Sequence, residues 1–287
     1  MVTIRNGMMK DCTDLLEVYQ GTRWFYRTKQ GGYTTLEQVK DEHRGAAFER
    51  WGWLVAEEKG KVVGEIVFTA EKNPVSGKVG IIRNLDIDVR NQKRNIGTNL
   101  TRAAENVLRK KRAVRVIATT PPAAYNYWMK VNYFARGSIM NISLSTAKVP
   151  AIKSTKIKAV QLKEQKKLPK SMRFSNIAYP GSLAELAARV IDGELRGNLT
   201  EYYSDGRLAG VGVVAQSDSK AAEFVADVTR SGMPFADFII SRTAGMARKW
   251  KVQKVRSAIP KDYLSIYTVF ARWTSEVSTD IPVTRLL

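Results

Sequence analysis

The chain has 287 residues, of which 44% are hydrophobic, so it can fill the core of one large or two ordinary domains and is not a disordered protein. Cys12 is the only cysteine, which argues against a disulfide framework or a cysteine-rich metal site and fits a reducing compartment. The N-terminus lacks the apolar stretch of a signal peptide, and no apolar run approaches the ~20 residues that span a bilayer. We therefore expect a cytoplasmic protein without membrane contact.

The formal charge of +20 is concentrated in residues 90–115 and 148–173. Such clusters attract polyanions, and nucleic acid is one candidate partner. No nucleic-acid recognition motif accompanies them, so a solvated lysine-rich surface is the simpler interpretation. For the first cluster a phosphate-rich cofactor would serve equally well. The net charge argues against polyamines or basic tails as substrates.

The first half predicts alternating strands and helices. Residues 3–6 predict a strand and residues 11–19 a helix. Thr34 and Glu37 form a capping-box pattern that opens a second helix, which ends near residue 49. Two strands follow as a hairpin that turns at Lys59-Gly60, at residues 53–56 and 61–69. The remaining elements are a strand at 80–89, a helix from 98 onward, a strand at 114–118, a helix at 122–131 and a final strand at 133–144.

A basic turn, residues 92–97, joins a predicted strand to a predicted helix. The first turn of a helix has amide N–H groups without intrahelical partners and the positive end of the helix dipole, so it suits phosphate. Gly97 has no side chain to obstruct a ligand, and Asn95 tolerates a positive φ at modest cost. Lys93 and Arg94 add positive charge. The turn therefore predicts an anion site.

The turn resembles the signature of the GNAT superfamily of acyl-CoA N-acyltransferases, Gln/Arg-x-x-Gly-x-Gly/Ala, with Asn95 at the first glycine. The predicted element order, β-α-α-β-β-β-α-β-α-β, is that of the GNAT fold and covers residues 2–145. A second signature occurs in AAYNYWMKVNYF, which places Ala124, Tyr127, Trp128 and Tyr133 at family positions.

The spacing of this segment matches the family, but two identities do not, and one of them bears on catalysis. The tyrosine that often protonates the departing CoA thiolate is Trp128 here, and an indole N–H is a poor proton donor. Tyr127 is adjacent and is our candidate acid. One step along a helix rotates a side chain by ~100°, so the role does not transfer automatically.

The resemblance implies acetyl-CoA, or another short-chain acyl-CoA, as cofactor and a small-molecule or protein amine as acceptor. Pantetheine would lie between strands that diverge near residues 89 and 118, and the pyrophosphate would bind amides of residues 93–98. A backbone N–H near residue 87 would stabilise the oxyanion. The implied cofactor-binding residues are Ile87, Asp88, Val89, Gln92, Lys93, Arg94, Asn95, Ile96, Gly97, Thr98, Ala124 and Trp128.

An amine nucleophile also requires a group that takes a proton from the ammonium. Asp86 lies on the strand face opposite Leu85 and is our candidate, whereas Asp88 reads as a surface residue. Glu65 and His43, the only histidine, remain alternatives. No metal-ligand spacing or serine–histidine–carboxylate pattern is visible, so we expect neither a metal site nor a hydrolase.

The composition changes after residue 144, and the second half repeats the first, which predicts two domains of mixed, mostly antiparallel α/β (α+β) class, 1–147 and 148–287. Asp205-Gly206 echoes the hairpin turn Lys59-Gly60, and residues 238–250 echo the helix after the phosphate turn. The second turn contains Pro234, which has no amide hydrogen, and Asp237, which repels phosphate. We expect a degenerate GNAT-like domain that supports the sheet, closes over the acceptor or mediates a homodimer.

The sequence thus predicts an acetyl-CoA-dependent N-acetyltransferase in which a primary amine attacks the thioester directly. Two alternatives stay open. A non-catalytic acyl-CoA sensor would explain Trp128 and Asn95, and a nucleic-acid-associated protein would explain the basic clusters.

Overall fold

The computed structural model describes residues 2–21, 35–163 and 165–287 and contains two sheets of seven strands each. From edge to edge, the first sheet consists of β1 (Val2–Asn6), β2 (Trp53–Glu58), β3 (Lys61–Asn73), β4 (Gly77–Ile87), β5 (Ala113–Thr120), β14 (Ile281–Leu286) and β6 (Phe134–Ala135). The second consists of β8 (Lys158–Leu162), β9 (Gly197–Ser204), β10 (Arg207–Gln216), β11 (Ala221–Val228), β12 (Lys254–Pro260), β7 (Ile139–Ser145) and β13 (Thr274–Val277). β4 pairs with β5 in parallel, and β11 pairs likewise with β12.

The two sheets exchange one strand each. β7 precedes the predicted boundary at residue 147 but lies in the second sheet, where it pairs with β12 and β13. β14, from the C-terminus of the chain, lies between β5 and β6 of the first sheet. The expected final strand at 133–144 is therefore two strands in different sheets. With this exchange the strand orders of the two sheets correspond one to one, as the sequence repeat predicts.

Helices cover both faces of each sheet. They are α1 (Cys12–Gly21), α2 (Leu36–Glu42), α3 (Ile96–Lys110), α4 (Pro122–Lys130), α5 (Ser182–Ile191), α6 (Ala236–Gly245) and α7 (Leu264–Thr268). α1 and α2 pack Leu15 and Val39 against one face of the first sheet, and α3 packs Leu100, Ala104 and Leu108 against the other. This spacing of apolar residues gives α3 one buried face. Among the helices described, none is both long and apolar enough to cross a membrane.

Two local predictions can be compared with the structure. Both hairpin turns have consecutive positive φ angles, +51° and +79° at Lys59-Gly60 and +48° and +74° at Asp205-Gly206, which confirms them as the tight turns that favour glycine. The second helix is shorter than expected and its cap differs. The Thr35 hydroxyl accepts a hydrogen bond from the Gln38 N–H at 3.3 Å, whereas Thr34 lies outside the described residues.

Candidate active site

β4 and β5 are paired over only part of their length. Their register ends at Ile82 opposite Ala118. Next to this point Arg83 is an extra residue on β4, because Val67 and Phe68 of β3 face Asn84 and Ile82 in turn. Beyond the bulge the two strands diverge, and a cavity of about 1420 Å³ opens there.

The turn after β4 presents bare helix amides to this cavity. Asn95 is the N-cap of α3 and has a left-handed conformation (φ +60°, ψ +10°), which confirms the expectation from its residue type. Its side chain makes no capping bond, and the first turn of α3 contains no acidic residue. Lys93 is also left-handed, with φ +61°. Left-handed residues of this kind occur in turns whose backbone N–H groups form anion-binding concavities.

Gly97 lies directly beneath Tyr127. A Cβ atom at Gly97 would come within 3.3 Å of the Tyr127 ring. The Tyr127 hydroxyl is 2.7 Å from Thr101 Oγ1, and burial raises the pKa of Tyr127 to about 12. The phenol therefore keeps its proton at neutral pH, as a proton donor must. Trp128 is buried and packs edge-on against Tyr133, with 4.9 Å between ring centroids.

Most predicted cofactor contacts line the cavity, together with Asp86 and Tyr127. They are Ile87, Gln92, Lys93, Asn95, Ile96, Gly97, Thr98, Ala124 and Trp128. Asp88, Val89 and Arg94 are not among its lining residues. Asp88 is buried rather than at the surface and pairs with Arg90 at 2.6 Å, and Arg94 pairs with Glu58 at 2.7 Å. These ion pairs hold the turn in place from outside the cavity.

The structure separates the three candidate bases. Glu65 lies directly opposite Asp86 in the register of β3 and β4, and both carboxylates are buried. Glu65 accepts hydrogen bonds from Trp53 Nε1 (2.9 Å), from the Tyr19 hydroxyl and from His43 Nε2 (3.0 Å). Of the three candidates, only Asp86 lines the cavity.

His43 and Glu65 form a buried ion pair under the sheet. His43 Nδ1 is 2.7 Å from the carbonyl of Val39, and because a carbonyl only accepts, this nitrogen carries a hydrogen. Burial lowers the pKa of His43, but the charge of Glu65 and its hydrogen bond act in the opposite sense and the net direction is upward. A protonated His43 can then donate to Glu65 from its other nitrogen.

The corresponding cleft of the second domain is filled by the chain itself. β11 and β12 pair only over Ala221–Glu223, and residues 174–178 lie where the strands diverge. The backbone N–H groups of Asn176 and Ile177 donate to Asp227 at 2.8 and 2.9 Å, and Asn176 Nδ2 donates to the Val228 carbonyl at 2.9 Å. Asp227 is the register counterpart of Asp86, because each lies one residue from the partner of a matching glycine, Gly210 or Gly64.

The second turn also lacks an anion cradle. A Cβ atom at Gly232 would lie 1.7 Å from the Ala209 carbonyl oxygen, so this turn packs tightly against β10. Asp237 in the first turn of α6 accepts the hydrogen bond of the Phe238 N–H at 2.7 Å, which places a carboxylate where a phosphate would need a donor. The loss of cofactor binding in this domain, expected from Pro234 and Asp237, stays a prediction.

Sequence reasoning missed one wall of the first cavity. Tyr179, Gly181 and Glu185 line it from the second half of the chain, and Glu71 and Thr119 line it from the first sheet. Tyr179 and Gly181 lie in an irregular segment after β8 without periodicity or motif. No signal in the sequence marks these residues as part of a site in the other domain.

Residues 18–133 match the model of the acetyltransferase (GNAT) family. The first half of this chain carries a GNAT domain. This match supports an acyl-CoA N-acyltransferase activity and agrees with the basic turn and the diverging strands described above. A search of curated proteins finds no match.

Solved GNAT structures resemble the entire chain. A GCN5-related N-acetyltransferase from Kribbella flavida has 13% identity and a TM-score of 0.60, covering 100% of this chain and 71% of that chain. A GCN5-related N-acetyltransferase from Anabaena variabilis has 10% identity and a TM-score of 0.61, covering 100% and 73%. A tandem GNAT protein from the clavulanic acid biosynthesis pathway has 14% identity and a TM-score of 0.53, covering 100% and 98%. These similarities show the fold, two GNAT-like domains in tandem.

Proposed function

We propose that this protein is an acetyl-CoA-dependent N-acetyltransferase with one working cleft, located in its first domain. One observation carries the proposal. A single cavity joins the uncapped N-terminus of α3 to the buried carboxylate of Asp86 along the diverging strands β4 and β5. An anion site and a buried base in one cleft are what acyl transfer from CoA to an amine requires.

The residues of the cleft fit CoA. Lys93, Arg102 and Lys130 line the cavity around the turn and would add positive charge for phosphates. Gly97 allows the Tyr127 ring to lie against the first turn of α3, since a Cβ atom there would come within 3.3 Å of the ring. Acetyl-CoA, when bound, supplies an activated thioester. The other groups needed for acyl transfer belong to the chain.

The backbone of β4 has N–H and carbonyl groups that can hydrogen-bond to acetyl-CoA. The Asp88 N–H donates to the Val63 carbonyl of β3 at 3.0 Å. Because backbone groups of an antiparallel strand alternate in direction, Leu85 and Ile87 direct theirs away from β3 and toward the opening. The Ile87 carbonyl accepts a hydrogen bond from Gln92 Nε2 there, at 3.1 Å. The N–H groups of Leu85 and Ile87 can donate hydrogen bonds to the oxyanion that develops on the thioester carbonyl.

Asp86 and Tyr127 would handle protons at opposite ends of the reaction. The acceptor ammonium must lose a proton before its nitrogen can attack, and the Asp86 carboxylate takes that proton directly or through one water molecule. The protonated Tyr127 phenol, held by Thr101, stands at the turn as the candidate donor to the leaving thiolate. A thiolate can also leave unaided, so we assign the larger effect to Asp86.

Calorimetric titration with acetyl-CoA tests the proposal, with 3′-dephospho-CoA and ATP as controls and CoA release over a panel of amines measured in parallel. We expect one site per chain. Gly97→Glu should abolish binding, because the added side chain crowds the Tyr127 ring and brings a carboxylate to the N-terminus of α3. Ser231→Glu is the matched control, since Ser231 is exposed in the corresponding turn of the second half. Gly232→Glu is unsuitable as a control because Gly232 has no room for a side chain.

Three outcomes would contradict the proposal. If the unmodified protein does not bind acetyl-CoA, the assignment of acetyl-CoA as cofactor is wrong. Equal loss in both variants would remove the assignment to the first cleft. Binding without CoA release across the panel would favour an acyl-CoA sensor.

A further inference from the structure

The side of the cavity that faces away from α3 is closed by residues 173–185, which belong to the second half of the chain. Hydrogen bonds fasten this wall to β3. The Ser175 N–H donates to the Lys72 carbonyl at 3.0 Å, Asn73 Nδ2 donates to the Ser175 carbonyl at 2.6 Å, and the Gly181 N–H donates to Glu71 at 3.0 Å. The same segment fills the second cleft, so it is held from both sides.

Tyr179 brings a phenol from this wall to the point where β4 and β5 diverge. Thr119 follows Ala118, the last β5 residue in register with β4, and its hydroxyl donates to the Tyr179 phenol oxygen at 2.7 Å. Because that oxygen accepts from Thr119 through one lone pair, its second lone pair remains available to a donor, such as an ammonium group, in the cavity that both residues line. Burial raises the pKa of Tyr179 to about 12, so the phenol is uncharged at neutral pH.

Carboxylates collect on the same side of the cavity. Among the described residues these are Glu42, Glu71, Asp86 and Glu185. Among the residues that the structure describes, the cations on this side are Arg83 and Arg173, and Arg173 pairs with Glu49 at 2.6 Å. Burial raises the pKa of Glu71, so the negative charge of this wall comes chiefly from Glu42, Asp86 and Glu185. These carboxylates concentrate cations locally, whatever the net charge of +20 does at long range.

Asp86 and Glu42 are linked through Asn84, a neighbouring position of β4. Asn84 lies two residues from Asp86 on the same face of β4, about 7 Å along the strand. Its side-chain amide donates to Glu42 Oε1 at 2.7 Å, which holds that carboxylate beside the cleft. Glu42 is only partly buried and lines the cavity.

We propose that this wall forms the acceptor-binding site and that the acceptor is a small amine with a second positive charge and no carboxylate. The proposal rests on the acetyltransferase function proposed above. Asp86 meets the reacting ammonium, Glu42 the second cation, and the Tyr179 phenol oxygen accepts a hydrogen bond from an ammonium group of the bound molecule. The lining of the cleft thus favours the opposite of what the net charge suggests about polyamines.

A matched pair of acceptors tests this directly. 1,4-Diaminobutane and 4-aminobutanoate share a chain and differ in one terminal group, and butylamine lacks that charge altogether. We expect kcat/KM to fall from the diamine to butylamine to the aminobutanoate. Titration of 1,4-diaminobutane into the CoA-saturated protein gives a readout that does not depend on turnover.

Two variants locate the effect. Glu42→Gln keeps an oxygen for Asn84 and removes the charge, so kcat/KM should fall about 10- to 100-fold for the diamine and stay within about twofold for butylamine. Glu37→Gln, on the exposed side of the same helix, is its control. Tyr179→Phe should raise KM for the amine and leave the Kd of acetyl-CoA unchanged, with Tyr203→Phe as its control.

The possible results separate the two proposals. If acetyl-CoA binds but the aminobutanoate is acetylated as well as the diamine, the acceptor assignment is wrong and the acetyltransferase function stands. Equal losses for both amines in Glu42→Gln, or no amine of the series bound or acetylated, would overturn the assignment in the same way. If acetyl-CoA itself does not bind, both proposals are wrong.

Discussion

The strand exchange makes each half of the chain depend on the other, and a reciprocal pair of substitutions measures this. Val283 in β14 is fully buried in the core of the first domain, and Ile142 in β7 is buried in the core of the second. Val283→Ala removes two methyl groups at about 0.8 kcal/mol each, and the residual cavity raises the loss to about 2 kcal/mol. Ile142→Ala removes more and should cost about 2–4 kcal/mol.

The expected result is a crossed pattern. Val283→Ala, at the C-terminus, should destabilise the N-terminal sheet, and Ile142→Ala, which precedes the predicted boundary, should destabilise the C-terminal one. Hydrogen exchange with mass spectrometry resolves the two sheets. A loss of 2 kcal/mol corresponds to about 30-fold faster exchange where opening is local.

In each variant the control is the sheet that does not contain the substituted strand. Its protection from hydrogen exchange should stay nearly constant if the domains open separately. The reasoning would be refuted if Val283→Ala accelerated exchange in β9–β11 and left β2–β4 unchanged. A fragment of residues 1–147 that folded cooperatively would refute it as well, since that fragment lacks β14 and retains β7 without its sheet.

Two further predictions concern Asp86 and Glu65. Asp86→Asn should lower kcat by about 10²- to 10⁴-fold without changing the Kd of acetyl-CoA, measured by CoA release and calorimetry, and an unchanged kcat would exclude Asp86 as the base. Glu65→Gln should flatten the dependence of stability on pH. In the unmodified protein the raised pKa of His43 means that the folded state holds a proton more tightly, so the free energy of unfolding should fall as pH rises above about 6.5 toward the folded-state pKa. Urea unfolding from pH 6 to 9 checks this, and parallel profiles for the two proteins would show that the ion pair does not set the slope.

The sequence predicted the parts of the site that local chemistry specifies. The left-handed Asn95, the basic turn and the helix behind it depend on residues within a few positions of one another, and the structure places them as expected. The pattern of β4 also placed Asp86 and Ile87 on opposite faces. It did not distinguish Asp86 from Glu65 as the base, because both lie on the same face and only packing by Tyr19, Trp53 and His43 closes off Glu65.

The role of Asp88 shows a similar limit. It follows Asp86 by two residues in an alternating strand, yet its side chain caps a short turn and pairs with Arg90 instead of entering the cavity. Strand periodicity ends where the strand ends, so alternation does not carry over into the turn.

The sequence by itself determined that this protein has a basic turn of the GNAT pattern with a left-handed Asn95, two tight hairpins and a repeated order of strands. These features depend on backbone conformations that few residue types adopt and on periodicities that a short stretch reveals. Tertiary structure alone decided which sheet receives β7 and β14, which segment fills the second cleft and which charges surround an acceptor. A strand pattern specifies a buried face but not its neighbour, and net charge does not specify where charges lie, so both are set only when distant segments pack together.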